Sequence, residues 1–329
     1  MGFRSQKRRS RRNTQAMRLA FWLIVPLVAL SVHGMLSLPL WLAQWFTGYT
    51  FAPTGFFWAN TGTALFLILG GWWLEFSCLR QGGGIALARR LGARPADVSQ
   101  PREHVGSNIV QELCIAARMP APALMVLDRS PQLNAMAVGW SHRDRAVVVT
   151  HEALAQLSRN ELQAVIAHEL SHIREGDTAL NMQLTAMVYG LQMVYGYGRS
   201  LHAMELVFPR VFGGLMMYAG LAGWLAGRVL QAAISRQREF LADAQAVEWT
   251  RQRDALIAAL EKIHQHNQPL APRDLLADWE LMGNRLEFSS LSHMWLAPSL
   301  EFQSRALRWL DSHPSLEERL RRLTAPMQF

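Results

Sequence analysis

Two histidines and a glutamate stand within five consecutive residues, His168-Glu169-Leu170-Ser171-His172. Residues four apart in an α-helix lie on one face, so His168 and His172 can bind the same metal ion. Two imidazoles and one carboxylate hold zinc in many hydrolases and leave a fourth position for water. Glu169 can then act as the general base that takes a proton from this water. The alternative interpretation is a chance match on a solvated helix face.

The spacing alone does not identify the third protein ligand. Glu239 and Asp243 are again four residues apart, whereas Glu175 and Asp177 are nearer to the histidines in the chain. In such sites one carboxylate binds the metal and another orients a ligating histidine. For Glu239 and Asp243 the alternative is an exposed acidic face that is balanced by neighbouring arginines.

The composition is poor in charged residues for a soluble protein. Half of the 329 residues are hydrophobic and only 18% are charged, whereas roughly a quarter is charged in soluble domains. Seven Lys or Arg residues and no acidic residue precede Leu19. Such a tail can bind nucleic acid, but beside an apolar segment we expect it to set the membrane orientation. The two cysteines predict no disulfide framework.

The apolar N-terminal region predicts a membrane hairpin. No Asp, Glu, Lys or Arg occurs between Leu19 and Leu74, which is enough chain for two spans of roughly 20 residues each. We expect spans at 19–46 and 56–79. The basic tail before the first span and the arginines after the second predict that both outer ends face the cytoplasm. A cleaved signal peptide is the alternative for the first span, but its apolar core would be too long. Gly82-Gly83-Gly84 is interpreted as a linker to the following domain.

The elements that must position the motif can also be predicted. Ser158 and Glu161 have the spacing of a capping box at the start of the motif helix, and Gly176 predicts its end. Three short strand candidates, at 123–127, 134–138 and 146–150, predict a small antiparallel sheet packed against helices.

Two further stretches with few charges follow the motif, at 178–198 and 211–227. We expect them to form a second membrane hairpin, and an apolar helical pair packed against the domain is the alternative. The predicted fold is therefore mainly α with a small antiparallel β-sheet.

Four segments, in order along the chain, resemble the HtpX family of membrane-bound zinc metalloproteases, relatives of the CAAX prenyl proteases. The resemblance covers roughly residues 80–265 and the last twenty or so. The segments are Asn134-Ala-Met-Ala-Val-Gly139, Val165-Ile-Ala-His-Glu-Leu-Ser-His172, Ser235-Arg-Gln-Arg-Glu-Phe-Leu-Ala-Asp243, and His313-Pro314 with Arg319. This arginine comes later than in the family pattern, and residues 267–300 match no pattern of the family.

The resemblance implies a zincin-like metalloprotease domain with one zinc ion per chain. It implies that His168, His172 and Glu239 bind this ion and that Glu169 is the catalytic base.

The resemblance also implies roles around the metal. Asp243 would hydrogen-bond to a ligating histidine and so orient it. His313 would lie near the reacting carbonyl and donate a hydrogen bond to the oxyanion. The alternative for His313 is a surface histidine at a helix N-terminus. Asn134, Ala135 and Ala137 would form the strand edge along which an extended substrate pairs.

These expectations divide the chain into a basic cytoplasmic tail (1–18), a transmembrane hairpin (19–79) and a zinc metallopeptidase domain (80–329) with an apolar helical pair at about 178–230. The expected protein is a multi-pass endopeptidase of a bacterial-type inner (plasma) membrane, with its catalytic domain in the cytoplasm. From the resemblance we expect it to degrade misfolded membrane proteins, with the lipid bilayer and protein substrates as partners and no nucleic acid. The alternatives are a processing protease of narrow specificity and a non-catalytic zinc-binding membrane scaffold.

Overall fold

A computed structural model describes residues 3–267, 295–296 and 313–324. These residues are mainly helical, with one small sheet, as predicted. The helices are α1 (Phe3–Thr47), α2 (Phe56–Arg90), α3 (Pro101–Ala117), α4 (His151–Gln156), α5 (Arg159–Glu175), α6 (Asp177–His202), α7 (Val207–Thr250), α8 (Arg253–Asn267) and α9 (Leu316–Thr324). The strands are β1 (Arg94–Pro95), β2 (Ala123–Leu127), β3 (Ala135–Val138) and β4 (Ala146–Thr150).

The strand order in the sheet is β1-β2-β4-β3. The strand positions agree with the prediction, but the sheet is mixed rather than wholly antiparallel. The reason is the chain path: β3 lies at the edge, and β4 returns between β3 and β2. Consequently β4 pairs with β2 in parallel, from Ala123↔Ala146 to Leu127↔Thr150, and with β3 antiparallel. β3 is thereby left with one side that no named strand covers.

Helix α5, which carries the motif, begins and ends at the predicted residues. The Ser158 hydroxyl accepts a hydrogen bond from the Glu161 amide at 3.3 Å, and the Ser158 amide donates to the Glu161 carboxylate at 2.7 Å. Gly176 has the left-handed conformation (φ 76°) that ends many helices. The helix packs against α3, α8 and β3. Its large buried apolar side chains are Leu162, Val165, Ile166, Leu170 and Ile173.

We expect Glu161→Gln to destabilise the domain slightly at neutral pH. Lys262 and the Ser158 amide outweigh the effect of burial and lower the pKa of Glu161 from 4.5, and the Lys262 amino group lies 2.8 Å away. A carboxylate with a lowered folded-state pKa stabilises the fold above its unfolded pKa and loses this contribution as the pH falls through the folded value. The variant should lose about 0.5 kcal/mol at pH 7, and the difference should shrink below about pH 4.5. Thermal unfolding in detergent at pH 7 and pH 4 measures this, and an equal difference at both pH values would contradict it.

Two compact units are built from alternating stretches of the chain. One is drawn from Met1–Ser77 and Leu184–Gln231, and the other from Cys78–Gln183 and Ala232–Phe329. In the first unit, glycines allow α6 and α7 to approach closely, since a Cβ atom on Gly198 would lie 2.7 Å from the Met217 amide nitrogen. A Cβ atom on Gly220 would similarly lie 2.5 Å from the Tyr195 amide nitrogen.

Two helices in the described part of the chain are long and apolar enough to span a membrane, Leu19–Thr47 and Phe56–Arg90. They match the predicted N-terminal hairpin. The later apolar pair is present as α6 and the first half of α7, and whether this pair crosses the bilayer stays a prediction. Because α7 continues without a break to Thr250, the second apolar stretch and the segment around Glu239 share one helix, which the sequence had not suggested.

The triple glycine, which we predicted as a linker to the following domain, is part of a helix. It lies within α2, where Gly83 has non-helical dihedral angles (φ 68°) at a kink. The Asp144 carboxylate accepts hydrogen bonds from the Gly84 and Trp140 amides, each at 3.0 Å. A Cβ atom on Gly84 would lie 2.6 Å from the Gly139 amide nitrogen, so the glycine permits close packing of this helix on the β3–β4 turn.

Candidate metal centre

Three buried side chains from two helices converge in the second unit. The Nε2 atoms of His168 and His172 lie 3.2 Å apart. Glu239 of α7 places Oε2 3.5 Å from the His168 Nε2 atom and Oε1 3.4 Å from the His172 Nε2 atom. In the described residues these three form the group of His, Cys, Asp and Glu side chains that can hold a metal ion.

The spacing of these atoms fits a tetrahedral zinc ion. Zinc binds imidazole nitrogen and carboxylate oxygen at about 2.0–2.2 Å, so two ligands of a tetrahedral ion are separated by roughly 3.3–3.6 Å. The three observed distances, 3.2, 3.5 and 3.4 Å, lie close to this range. The two Nε2 atoms face each other, and if neither carries a proton, no hydrogen bond can join them. A cation bound by both lone pairs explains this close approach. The donor set therefore fits the metal that the motif predicts.

The first histidine is held from behind by a carboxylate and an arginine. The Nδ1 atom of His168 lies 3.0 Å from Asp243 Oδ1. Arg319 of α9 donates to both oxygens of the Asp243 carboxylate, at 2.9 and 2.6 Å. A carboxylate on Nδ1 keeps the proton there and leaves the Nε2 lone pair for a metal. Arg319, although it comes later in the sequence than in the family pattern, therefore reaches the carboxylate behind His168.

The second histidine has a matching arrangement. His172 donates from Nδ1 to Asp177 Oδ2 at 3.0 Å, and the other Asp177 oxygen forms an ion pair with Arg238 of α7. Asp177 was only one of four candidate carboxylates for the third ligand, and its position on Nδ1 rules it out as a partner of the converging Nε2 atoms. Sequence analysis missed this role, although a carboxylate just after the helix stop was a visible signal.

Glu169 and His313 lie in the same cavity as the three candidate ligands. Glu169 is 2% exposed, and burial raises the pKa of its carboxyl group above the ordinary value. His313 is also buried, and its Nδ1 atom lies 3.1 Å from Glu239 Oε2. Burial alone would raise the pKa of Glu239, but His313 and the two candidate ligand histidines lower it well below the ordinary value. His313 is therefore not the surface histidine of the alternative interpretation.

The edge strand contributes unequally to the cavity. Ala137 lines it together with Asn181 of α6 and with Trp295 and Leu296, three residues that sequence analysis did not single out. Asn134, by contrast, is buried and bonded into the sheet: its main-chain N–H donates to the Thr150 hydroxyl at 3.0 Å. It is not among the residues that line the cavity.

We expect Asp177→Ala to weaken zinc binding by about 10–100-fold, the usual cost of losing a carboxylate behind a ligating histidine. The His172 ring would lose the acceptor that fixes its orientation. Competition with a chromogenic chelator measures the affinity directly and does not depend on activity. Asp254→Ala is the matched control, because the Asp254 side chain is 94% exposed. Equal zinc affinity in the two variants would contradict the prediction.

Comparison with known proteins places this chain in a family. Residues 102–327 match the model of peptidase family M48. The protease HtpX homolog of Thermoanaerobacter pseudethanolicus is 33% identical over 286 residues, 82% of this chain and 86% of that protein. The homolog of Streptococcus mutans is 32% identical over 289 residues, 83% of this chain and 90% of that protein. Among solved structures, S. mikatae Ste24p is similar at 16% identity with a TM-score of 0.40, covering 81% of this chain and 58% of that one.

Proposed function

Because the chain belongs to peptidase family M48, we propose that this membrane metalloprotease is a zinc endopeptidase in which His168, His172 and Glu239 bind the metal. The observation that supports this assignment is the set of three buried ligand atoms at 3.2–3.5 Å from one another. Glu239 is preferred to Asp243 and Asp177 as the third ligand because those two carboxylates contact Nδ1 atoms instead.

In the proposed mechanism, a zinc ion held here would supply a Lewis acid that polarises the peptide carbonyl and lowers the pKa of water toward about 7. Glu169 takes the proton of the attacking water and later delivers it to the departing amine nitrogen. His313 donates a hydrogen bond to the oxyanion that develops on the carbonyl oxygen. Asp243 and Asp177 keep the two imidazoles oriented, so that both Nε2 atoms point to one place.

The edge of β3 that faces away from β4 supports an extended peptide as the substrate. An extended chain pairs with an exposed strand edge through main-chain hydrogen bonds, which do not depend on its sequence. Ala135 and Ala137 lie in this strand, which begins one residue after the buried Asn134. Such recognition suits unfolded chains, and we propose quality control of misfolded membrane proteins as the role.

Cleavage by the detergent-purified full-length chain tests this function. Zinc-loaded protein should degrade an unfolded protein such as β-casein and spare a folded one, and a chelator should stop the reaction until zinc is restored. A zinc-loaded chain that cleaves no unfolded protein would contradict the proposal. Cleavage that continues in the chelator would show that the activity is not that of a zinc enzyme.

We propose further that residues 1–18 form a cytoplasmic tail, 19–79 a transmembrane hairpin and 80–329 the catalytic domain. The arginine-rich flanks of the hairpin support a cytoplasmic catalytic domain in a bacterial-type inner membrane.

This orientation gives a direct prediction for reporter fusions. A reporter that works only in the cytoplasm should be active when it is fused after Phe329 and inactive when it is inserted after Thr50, in the hairpin turn. The opposite pattern would place the catalytic domain outside the cytoplasm. A reporter that works only outside the cytoplasm provides the matched control at both positions.

A further inference from the structure

On the side that faces away from β4, the edge of β3 contacts two residues from a distant part of the chain. Trp295 pairs with Met136 in an antiparallel bridge, and the Leu296 amide donates to the Ala135 carbonyl oxygen at 2.8 Å. Leu296 is 3% exposed and belongs to the hydrophobic core of the second unit. The two residues therefore cover part of the edge of β3 opposite to β4, through one isolated bridge.

The same two residues close the candidate metal centre. Trp295 and Leu296 line its cavity together with Glu169 and the three candidate ligands. This cavity has a volume of about 10 Å³, which is room for roughly one water molecule and not for a peptide. A substrate can reach the zinc ligands from β3 only if this space becomes larger.

We propose that Trp295 and Leu296 occupy the place of a bound substrate on β3, so that the chain closes its own site and an extended peptide must displace them. The inference rests on the proposed function, since it concerns how the substrate enters that site. The Ala135 carbonyl oxygen accepts a hydrogen bond from the Leu296 amide. A peptide paired with β3 would need the same oxygen as an acceptor for its own main-chain N–H. Trp295 and Leu296 on the one hand and a substrate peptide on the other therefore cannot pair with this edge at the same time.

The contact of Trp295 and Leu296 with β3 is short enough for a substrate strand to replace it. Among the described residues it consists of one bridge and one backbone hydrogen bond, whereas a longer substrate strand makes hydrogen bonds at every second residue along the edge. The buried Leu296 side chain holds the two residues in place when no substrate is present. Apparent substrate affinity is then reduced by the fraction of molecules in which the edge is covered.

A disulfide between positions 136 and 295 tests the inference in the full-length chain. Directly opposed residues in an antiparallel pair have Cα atoms about 4.5–5.5 Å apart, which suits a disulfide. We would combine Met136→Cys and Trp295→Cys with Cys78→Ser and Cys114→Ala, which remove the native thiols. Binding of fluorescein-labelled β-casein is measured in a Glu169→Gln background, and its cleavage is measured with Glu169 intact.

Oxidation should weaken casein binding by about tenfold or more and stop its cleavage, and a reductant should restore both. Equal binding by the two redox forms, or binding by neither, would overturn the inference, as would full activity of the oxidised protein. The control carries Trp295→Cys without Met136→Cys, and a response of this control to oxidation would also overturn it. If neither redox form cleaves casein, the proposed function fails, while the binding comparison still decides the inference.

Discussion

Replacing Glu169 by glutamine should abolish proteolysis while zinc remains bound. The glutamine amide has nearly the shape of the carboxylate but accepts no proton, so the attacking water is no longer activated. Loss of a general base costs roughly 10²–10⁴-fold in rate. Zinc affinity should change little, because Glu169 is not one of the three residues whose ligand atoms converge.

The measurement combines cleavage of unfolded β-casein with the zinc content of the purified protein. Glu112→Gln is a suitable control: its carboxylate lies in a surface ion pair with Arg159, in which both side chains are about half exposed. That variant should keep both activity and zinc. A Glu169→Gln protein that cleaves as fast as the unaltered chain would exclude Glu169 as the base, and one that loses its zinc would assign it to the ligand set.

Replacing Glu239 by glutamine should remove both zinc and activity. Glu239 supplies the only carboxylate among the three converging groups, and a neutral amide is a poor zinc ligand compared with a carboxylate. Substituting a residue that only hydrogen-bonds to a metal ligand usually lowers metal affinity by about 10–100-fold. The loss in Glu239→Gln should be larger, and so it should exceed the effect of Asp177→Ala. Excess zinc should restore part of the activity if the remaining two ligands still bind the ion.

Zinc affinity, measured by chelator competition, decides this prediction without an activity assay. Glu248→Gln is the matched control, because Glu248 lies on the same helix and faces solvent. Unchanged affinity in Glu239→Gln would return the third-ligand assignment to the other carboxylates. Asp243→Gln would then be tested first, because Asp243 lies on the same helix face.

The features that the sequence determined are local ones. His168 and His172 converge because helical geometry brings residues four apart to one face, and Ser158, Glu161 and Gly176 set the ends of that helix through caps that involve neighbouring residues. The three main strands and the apolar N-terminal hairpin were likewise predicted from composition and short-range pattern. In each case the residues that determine the structure lie within a few positions of one another.

Only the tertiary structure decided what depends on contacts between distant residues. Glu239 of α7 lies beside the Nε2 atoms of both histidines of α5. Asp177 and Asp243 are equally acidic, but they contact the Nδ1 atoms of the same two rings. The parallel pairing of β2 with β4 and the coverage of β3 by Trp295 and Leu296 belong to the same class. Each of these carboxylates was a candidate ligand because of its chemical type. The packing of separate elements determines which of them approaches the Nε2 atoms, because spacing along the chain does not show which helix faces or strand edges meet.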